Sequence, residues 1–362
     1  MGSSVQKSKS LANRLPRPSD LAARCYSAGV DFMHDFSITA AIDRLEGPRG
    51  CLFTFHRVAK SSDWANLPNR EFYVDLDFLD ELLRHAQRRG WRVVTIDEAV
   101  RAVKDRKFTE RFINFSIDDA YRDTYEMIVP VFRKHGVPLT IYVTTGIPDQ
   151  SCLLWTTGLE TILHERDHVL VPNGQEVSAL PIATVEAKRI AYKQVSQQWE
   201  AADPVQLFKR FCELNGYDAI KLHKQHAIDW DMLAELRSDP SVELGAHTVS
   251  HPRLSALAAG DALTEMAESR ARLENYLGIK VRHFAFPYGR SGDCGPRDFD
   301  LASRAGFASS ATTRKGLLSR HMKAGIYSLP RITINGNDRA MSRIEAHLVG
   351  LSSLASVVAR VS

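Results

Sequence analysis

Four side chains stand where chemistry could happen: His247 and His251 at the end of VELGAHTVSH, and Asp118 and Asp119 at the end of RFINFSIDD. The histidines leave an apolar run that Pro240 precedes and Pro252 follows, which is the look of an interior strand ending in a loop. Pro252 disfavours helical geometry at His251, so the pair is not read as the exposed face of a helix. Zinc in catalytic sites takes three protein donors of His and Asp/Glu type plus water, so a carboxylate from another strand end would complete the shell. The adjacent aspartates offer one, because two neighbours leaving a strand can point in different directions, one onto a metal and the other onto water. A divalent ion lowers the pKa of water towards about 7, and a second carboxylate can take the remaining proton as that water attacks a carbonyl. The plain alternative is that one aspartate caps the helix expected to follow.

The elements that must position these groups read as an α/β fold. From Cys51 onward, strand-like segments (CLFTFH, WRVVTI, RFINFSIDD, LTIYVTT, VELGAH, HFAFPYG, FASSATT, GIYSLPRI) alternate with helical ones such as 77–89 and 262–277. The order predicts a distorted (β/α) barrel of seven or eight parallel strands, with the active site at the C-terminal strand ends. His56, the aspartate pair, the histidine pair and the Pro287-Tyr288-Gly289 turn all occupy such ends. Between LTIYVTT and VELGAH lie about a hundred residues, far more than a crossover needs. Residues 151–229 therefore read as a helical insertion over one rim, with His164, His168, His223 and His226 expected to be solvated. Residues 1–46 read as an N-terminal extension, partly disordered, 47–340 as the barrel with its insertion, and 341–362 as a C-terminal helix.

Composition narrows the function. With 362 residues, 44% hydrophobic, 25% charged and a net charge of +4, the chain is an ordinary globular one without the basic runs that nucleic acid requires. Five scattered cysteines without a Cys-x-x-Cys suit a reduced compartment. No secretory signal and no membrane span are read, which predicts a cytoplasmic protein with peripheral membrane contact left open. Oligomeric state is not specified.

SIDDAYRD, GAHTVSH and FAFPYG, in this order, resemble the polysaccharide deacetylases, the carbohydrate esterase group of chitin-oligosaccharide, peptidoglycan and exopolysaccharide deacetylases, over roughly residues 50–335. The resemblance implies an acetylated glycan as substrate and one divalent ion, zinc by default with cobalt or nickel compatible. It implies Asp118 as catalytic base, Asp119, His247 and His251 as metal ligands, and a substrate groove lined at Pro287 and Tyr288, with the Tyr288 amide facing the oxyanion. The family's Thr-Phe before the aspartates is Ser116-Ile117 here, and its Gly after them is Ala120. The Arg usually found before the Pro-Tyr turn is out of register, which makes Arg331, in SLPRI, the candidate substrate-binding charge, beside the plainer reading of a structural ion pair. The C-terminal Leu-x-His that supplies a general acid is missing. A branch acting on exopolysaccharides instead carries a first-strand histidine, matched by FTFHRV, so His56 is the candidate acid. Two alternatives stay open: a catalytically silent carbohydrate-binding relative, and a barrel glycosidase, which adjacent carboxylates fit poorly.

Overall fold

The computed structural model describes residues 49–348 except 175, 321, 323 and 324. Its strands in chain order are β1 (Gly50–Phe55), β2 (Arg57–Ala59), β3 (Tyr73–Asp75), β4 (Arg92–Val93), β5 (Phe112–Asp119), β6 (Leu139–Val143), β7 (His168–Asn173), β8 (Glu176–Pro181), β9 (Val242–Ala246), β10 (His283–Ala285), β11 (Ser309–Ala311) and β12 (Ile332–Thr333). The main sheet runs β11-β10-β9-β6-β5-β1-β12, with β4 beside the start of β5, and every pairing in it is parallel. Its two edges meet through a parallel bridge between Ala311 and Leu329, so the sheet curls into a distorted (β/α) barrel.

Alternation along the strands decides what lies inside. Ile113, Phe115 and Ile117 of β5 pack outward with Phe53, Ile141, Leu244 and Phe284 against Leu79, Leu82 and Leu83 of the helix Leu76–Arg88 and against Phe132, Met266 and Leu273. The intervening residues Asn114, Ser116 and Asp118 turn to a lumen that also buries Thr54, Thr140 and Arg331. With both faces covered, the strands carry no exposed polar stripe, and the polar residues that alternate along β5 face the lumen instead.

Three elements differ from the reading of the sequence. WRVVTI shrinks to two paired residues because Thr95 starts a helix: its hydroxyl accepts from the Glu98 N–H while Glu98 returns to the Thr95 N–H. That helix, Ile96–Lys104, lays Ile96, Ala99 and Val100 against Leu52, Phe112 and Ala311 at the floor of the barrel. The segment between β6 and β9 contains the helices Trp155–Glu165, Val185–Glu200, Pro204–Asn215 and Ala219–His226, but also the antiparallel hairpin β7–β8. It has a core of its own around Leu159, Ile162, Trp199, Phe208 and Phe211. Nor does a helix start at the aspartates: β5 runs through both, and a π-helical turn at Thr124–Ile128 leads into the helix Val129–His135. Near the C-terminus, Met341–Leu348 is helical and adds Ile344 and Leu348 to the main core. The expected N-terminal extension, 1–46, and residues 349–362 of the expected C-terminal helix, 341–362, lie outside the described residues. No helix among the described residues is long and apolar enough to cross a membrane.

Candidate active site and metal centre

β5 delivers the two aspartates to opposite tasks. Asp118 keeps the inward phase of the strand, and both its oxygens are gripped by the Arg331 guanidinium, Nη1 to Oδ1 at 2.7 Å and Nη2 to Oδ2 at 2.8 Å. Arg331 also donates to Thr54 Oγ1 and Ser116 Oγ at 3.0 Å each and to the Thr312 carbonyl at 3.1 Å. Burial by itself would raise the Asp118 carboxyl, but the Arg331 charge, with His247 behind it, holds it below the ordinary carboxylate range. This is the structural ion pair that stood beside the substrate-binding reading of Arg331. Its side chain is 1% exposed and committed to Asp118, so it acts as the clamp of that carboxylate.

At Asp119 the chain turns out of the sheet with φ of 82°, and Ala120 follows at 91°. Asp119 Oδ1 then lies 3.4 Å from His247 Nε2 and 3.3 Å from His251 Nε2. A divalent cation fits this donor set. Asp119 Oδ1 is buried and makes no hydrogen bond. His247 Nδ1 lies 2.7 Å from the Ala285 carbonyl, to which only an N–H can donate. In the neutral ring this turns the bare Nε2 lone pair towards the carboxylate. Burial pushes the His251 imidazole down to about 4 against the pull of Asp119, so that ring is neutral near pH 7. For His247, burial acts downward but the Asp118 and Asp119 carboxylates outweigh it. With Asp118 already paired to Arg331, Asp119 is the carboxylate left to face the two imidazoles.

The loop after β9 is built to hold the histidines. The Thr248 hydroxyl accepts from the His251 N–H at 3.0 Å, and Glu265 accepts from the N–H groups of Val249 and Ser250 at 2.8 and 3.0 Å. Among the described residues, five of the seven non-glycine positions with positive φ are Asp119, Ala120, Thr248, His251 and Tyr288. Uncommon backbone geometry is therefore concentrated where the donors converge.

A cleft of about 570 Å³ gathers His56, Asp118, Asp119, His247, His251 and Tyr288 on the barrel side. Leu154, Trp155, Glu200 and Val205 of the insertion face them. His56 follows β1 directly and stacks on Phe72 with ring centroids 4.7 Å apart. The Asp118 and Asp119 carboxylates lie within electrostatic reach of its ring. Tyr288 is 42% exposed, packs its ring 5.0 Å from that of His251, and sits at φ 59° in a turn where Gly289 N–H donates to the Pro287 carbonyl at 2.6 Å. Of the insertion histidines expected in solvent, His223 is buried and bonded to the backbone of Leu154 and Ile147, and His226 to Thr161.

Two partnerships that matter here are not visible in the sequence. Arg331, just ahead of β12, is singled out there without its partner Asp118, and the Ala285 carbonyl of β10 behind His247 is not singled out at all, because both partnerships join segments far apart in the chain.

The sequence profile of the polysaccharide deacetylase family matches residues 105–307. The chain belongs to that family, as its fold and cleft also indicate. YxkH of Bacillus subtilis (strain 168), a protein named for the same family, is 20% identical over 298 residues, which is 82% of this chain and 76% of that protein. Among solved structures, the Streptococcus pyogenes deacetylase PplD in complex with acetate is similar with a TM-score of 0.52 at 18% identity, covering 80% of this chain and 95% of that one. IcaB from Ammonifex degensii is similar with a TM-score of 0.52 at 16% identity, covering 84% and 98% respectively. At such identities these structures support the fold.

Proposed function

We propose that this chain is a metal-dependent hydrolase that removes N-acetyl groups from an acetamido sugar in an oligosaccharide, a polysaccharide or a lipid-linked glycan. The observation that carries the reading is the meeting, in one cleft, of a three-donor cluster with a separate carboxylate that is clamped by arginine. Asp119, His247 and His251 would hold the ion, and their mixed nitrogen and oxygen donors suit zinc, with cobalt and nickel compatible. When bound, such an ion would supply Lewis acidity for the acetyl carbonyl and for water.

Asp118 is the base. Its Arg331 pairing keeps it ionised and fixes its plane, so it accepts the water proton without first having to find its orientation. The Tyr288 N–H, on a backbone held in the left-handed region, faces the oxyanion that develops on the acetyl group. His56 returns a proton to the departing amine, and its stacking on Phe72 fixes its ring at the edge of the cleft. Phe72, Trp155 and Tyr288 offer apolar faces against which pyranose rings can pack.

The test is acetate release from a panel of acetylated glycans by purified protein loaded with zinc or cobalt. Release that a chelator abolishes and added ion restores is the expected result. Glycan binding without any release would favour the silent carbohydrate-binding reading.

A further inference from the structure

At the opposite end of the barrel, where β9 and β10 begin, a second group of donors converges. Glu243 is the second residue of β9, His283 the first of β10, and Asp97 lies in the first turn of the helix that plugs the floor. His283 Nε2 is 3.1 Å from Asp97 Oδ1 and 3.2 Å from Glu243 Oε1, and the three atoms lie within 4.8 Å of one another. We propose that Asp97, Glu243 and His283 form a second divalent-cation site, a structural one, at the barrel floor.

The spacing is that of a ligand shell. Bonds of about 2.0–2.1 Å in a tetrahedral arrangement place donors roughly 3.3 Å apart. The floor distances come within a few tenths of that and close to those between Asp119 and its two histidines. His283 is fully buried, and its Nδ1 lies 2.8 Å from Ser309 Oγ. A hydrogen bond on the far nitrogen is the usual support of a ligating imidazole. Arg282 engages only Asp97 Oδ2, at 3.0 Å, which leaves Oδ1 to the cluster and offsets one of the two negative charges.

One imidazole and two carboxylates, with water completing the shell, suit a borderline divalent ion of the zinc type. Such an ion would staple the floor helix to the two strands whose other ends carry His247 and the Pro287-Tyr288 turn. The rival occupant is a proton on His283, shared between the two carboxylates with no metal at all.

Cobalt is a suitable probe, read by its visible absorption together with elemental analysis. In the double variant His247→Ala/His251→Ala, which removes two donors of the catalytic cluster, the proposal expects one equivalent of Co²⁺ to remain bound and to raise the thermal midpoint. Adding Glu243→Gln, which preserves shape, should weaken that binding by more than the tenfold to hundredfold that loss of a mere supporting group costs. Adding His283→Ala should do the same, so that misfolding of either triple variant leaves the other to decide. Absence of bound cobalt in the double variant, with an unchanged midpoint, would leave the proton as the occupant and overturn the proposal. Cobalt retained by both triple variants would overturn it as well.

Discussion

At the scale of single residues, Asp118 depends on a partner from the far end of the chain. Replacing Arg331 by Met removes both of its bonds to Asp118 and leaves that carboxylate buried without a counter-charge, a loss worth about 3–5 kcal/mol in comparable pairs. Urea unfolding should register the loss in stability, while the Asp119, His247 and His251 donors stay intact. Ala120 makes a different prediction. It stands at φ 91° where the resembling family has glycine, and backbone of this kind costs a side-chain-bearing residue about 1–3 kcal/mol. Ala120→Gly relieves that strain but also deletes a buried methyl and frees the unfolded chain, so the net gain in stability should stay below about 1 kcal/mol, again read by urea titration. For His56, substitution by Ala should leave ion content unchanged and lower kcat by about a hundredfold, the usual scale of a lost acid. An unimpaired variant would reduce His56 to a wall of the cleft.

At the scale of elements, helix-to-helix ties should be visible in acid. Asp80, on the helix Leu76–Arg88, bonds to Lys134 and His135 of the helix Val129–His135, and these bonds lower its carboxyl from 3.8 to about 2. A depressed carboxyl contributes stability above its unfolded pKa and loses it as pH falls through the folded one. The contribution should thus fade between about pH 4 and pH 2, and Asp80→Asn should flatten the thermal midpoint over that window. The elements themselves were unevenly readable. β5 and β9 were plain because both faces of a parallel sheet are buried, so an apolar run followed by polar residues marks a strand end. The hairpin β7–β8 was missed although Asn173-Gly174 is a turn signal and Glu176-Val177-Ser178-Ala179 alternates, because its largely exposed second strand is short and lies among helix-forming sequence. The helix at the barrel floor was masked because WRVVTI has strand composition, although Thr95-x-x-Glu98 already has the spacing of a capping box. Arg331 was hardest, since nothing local tells an arginine that salts the surface from one that crosses a lumen to a carboxylate more than 200 positions earlier.

At the scale of the whole molecule, the insertion is locked to the barrel by a buried polar cluster. Arg57 donates to Asp123 Oδ2 at 2.8 Å and to the Tyr73 hydroxyl at 2.6 Å, and Tyr73 donates to Glu160 of the insertion, also at 2.6 Å. Arg57→Met should leave Asp123 without its counter-charge and lower stability by about 3–5 kcal/mol. Because the cleft needs both walls, it should also raise KM for glycan more than it lowers ion content. The central claim is that Asp119 belongs to the ion and Asp118 to the proton. Its most direct measurement compares Asp118→Asn with Asp119→Asn, reading the ion retained by the Asp119, His247 and His251 cluster and the acetate released from the best glycan substrate of the wild type. The account predicts that Asp118→Asn keeps this ion while acetate release falls by about a hundredfold or more, and that Asp119→Asn loses both. Equal loss of ion from the two variants, or undiminished acetate release by Asp118→Asn, would contradict it.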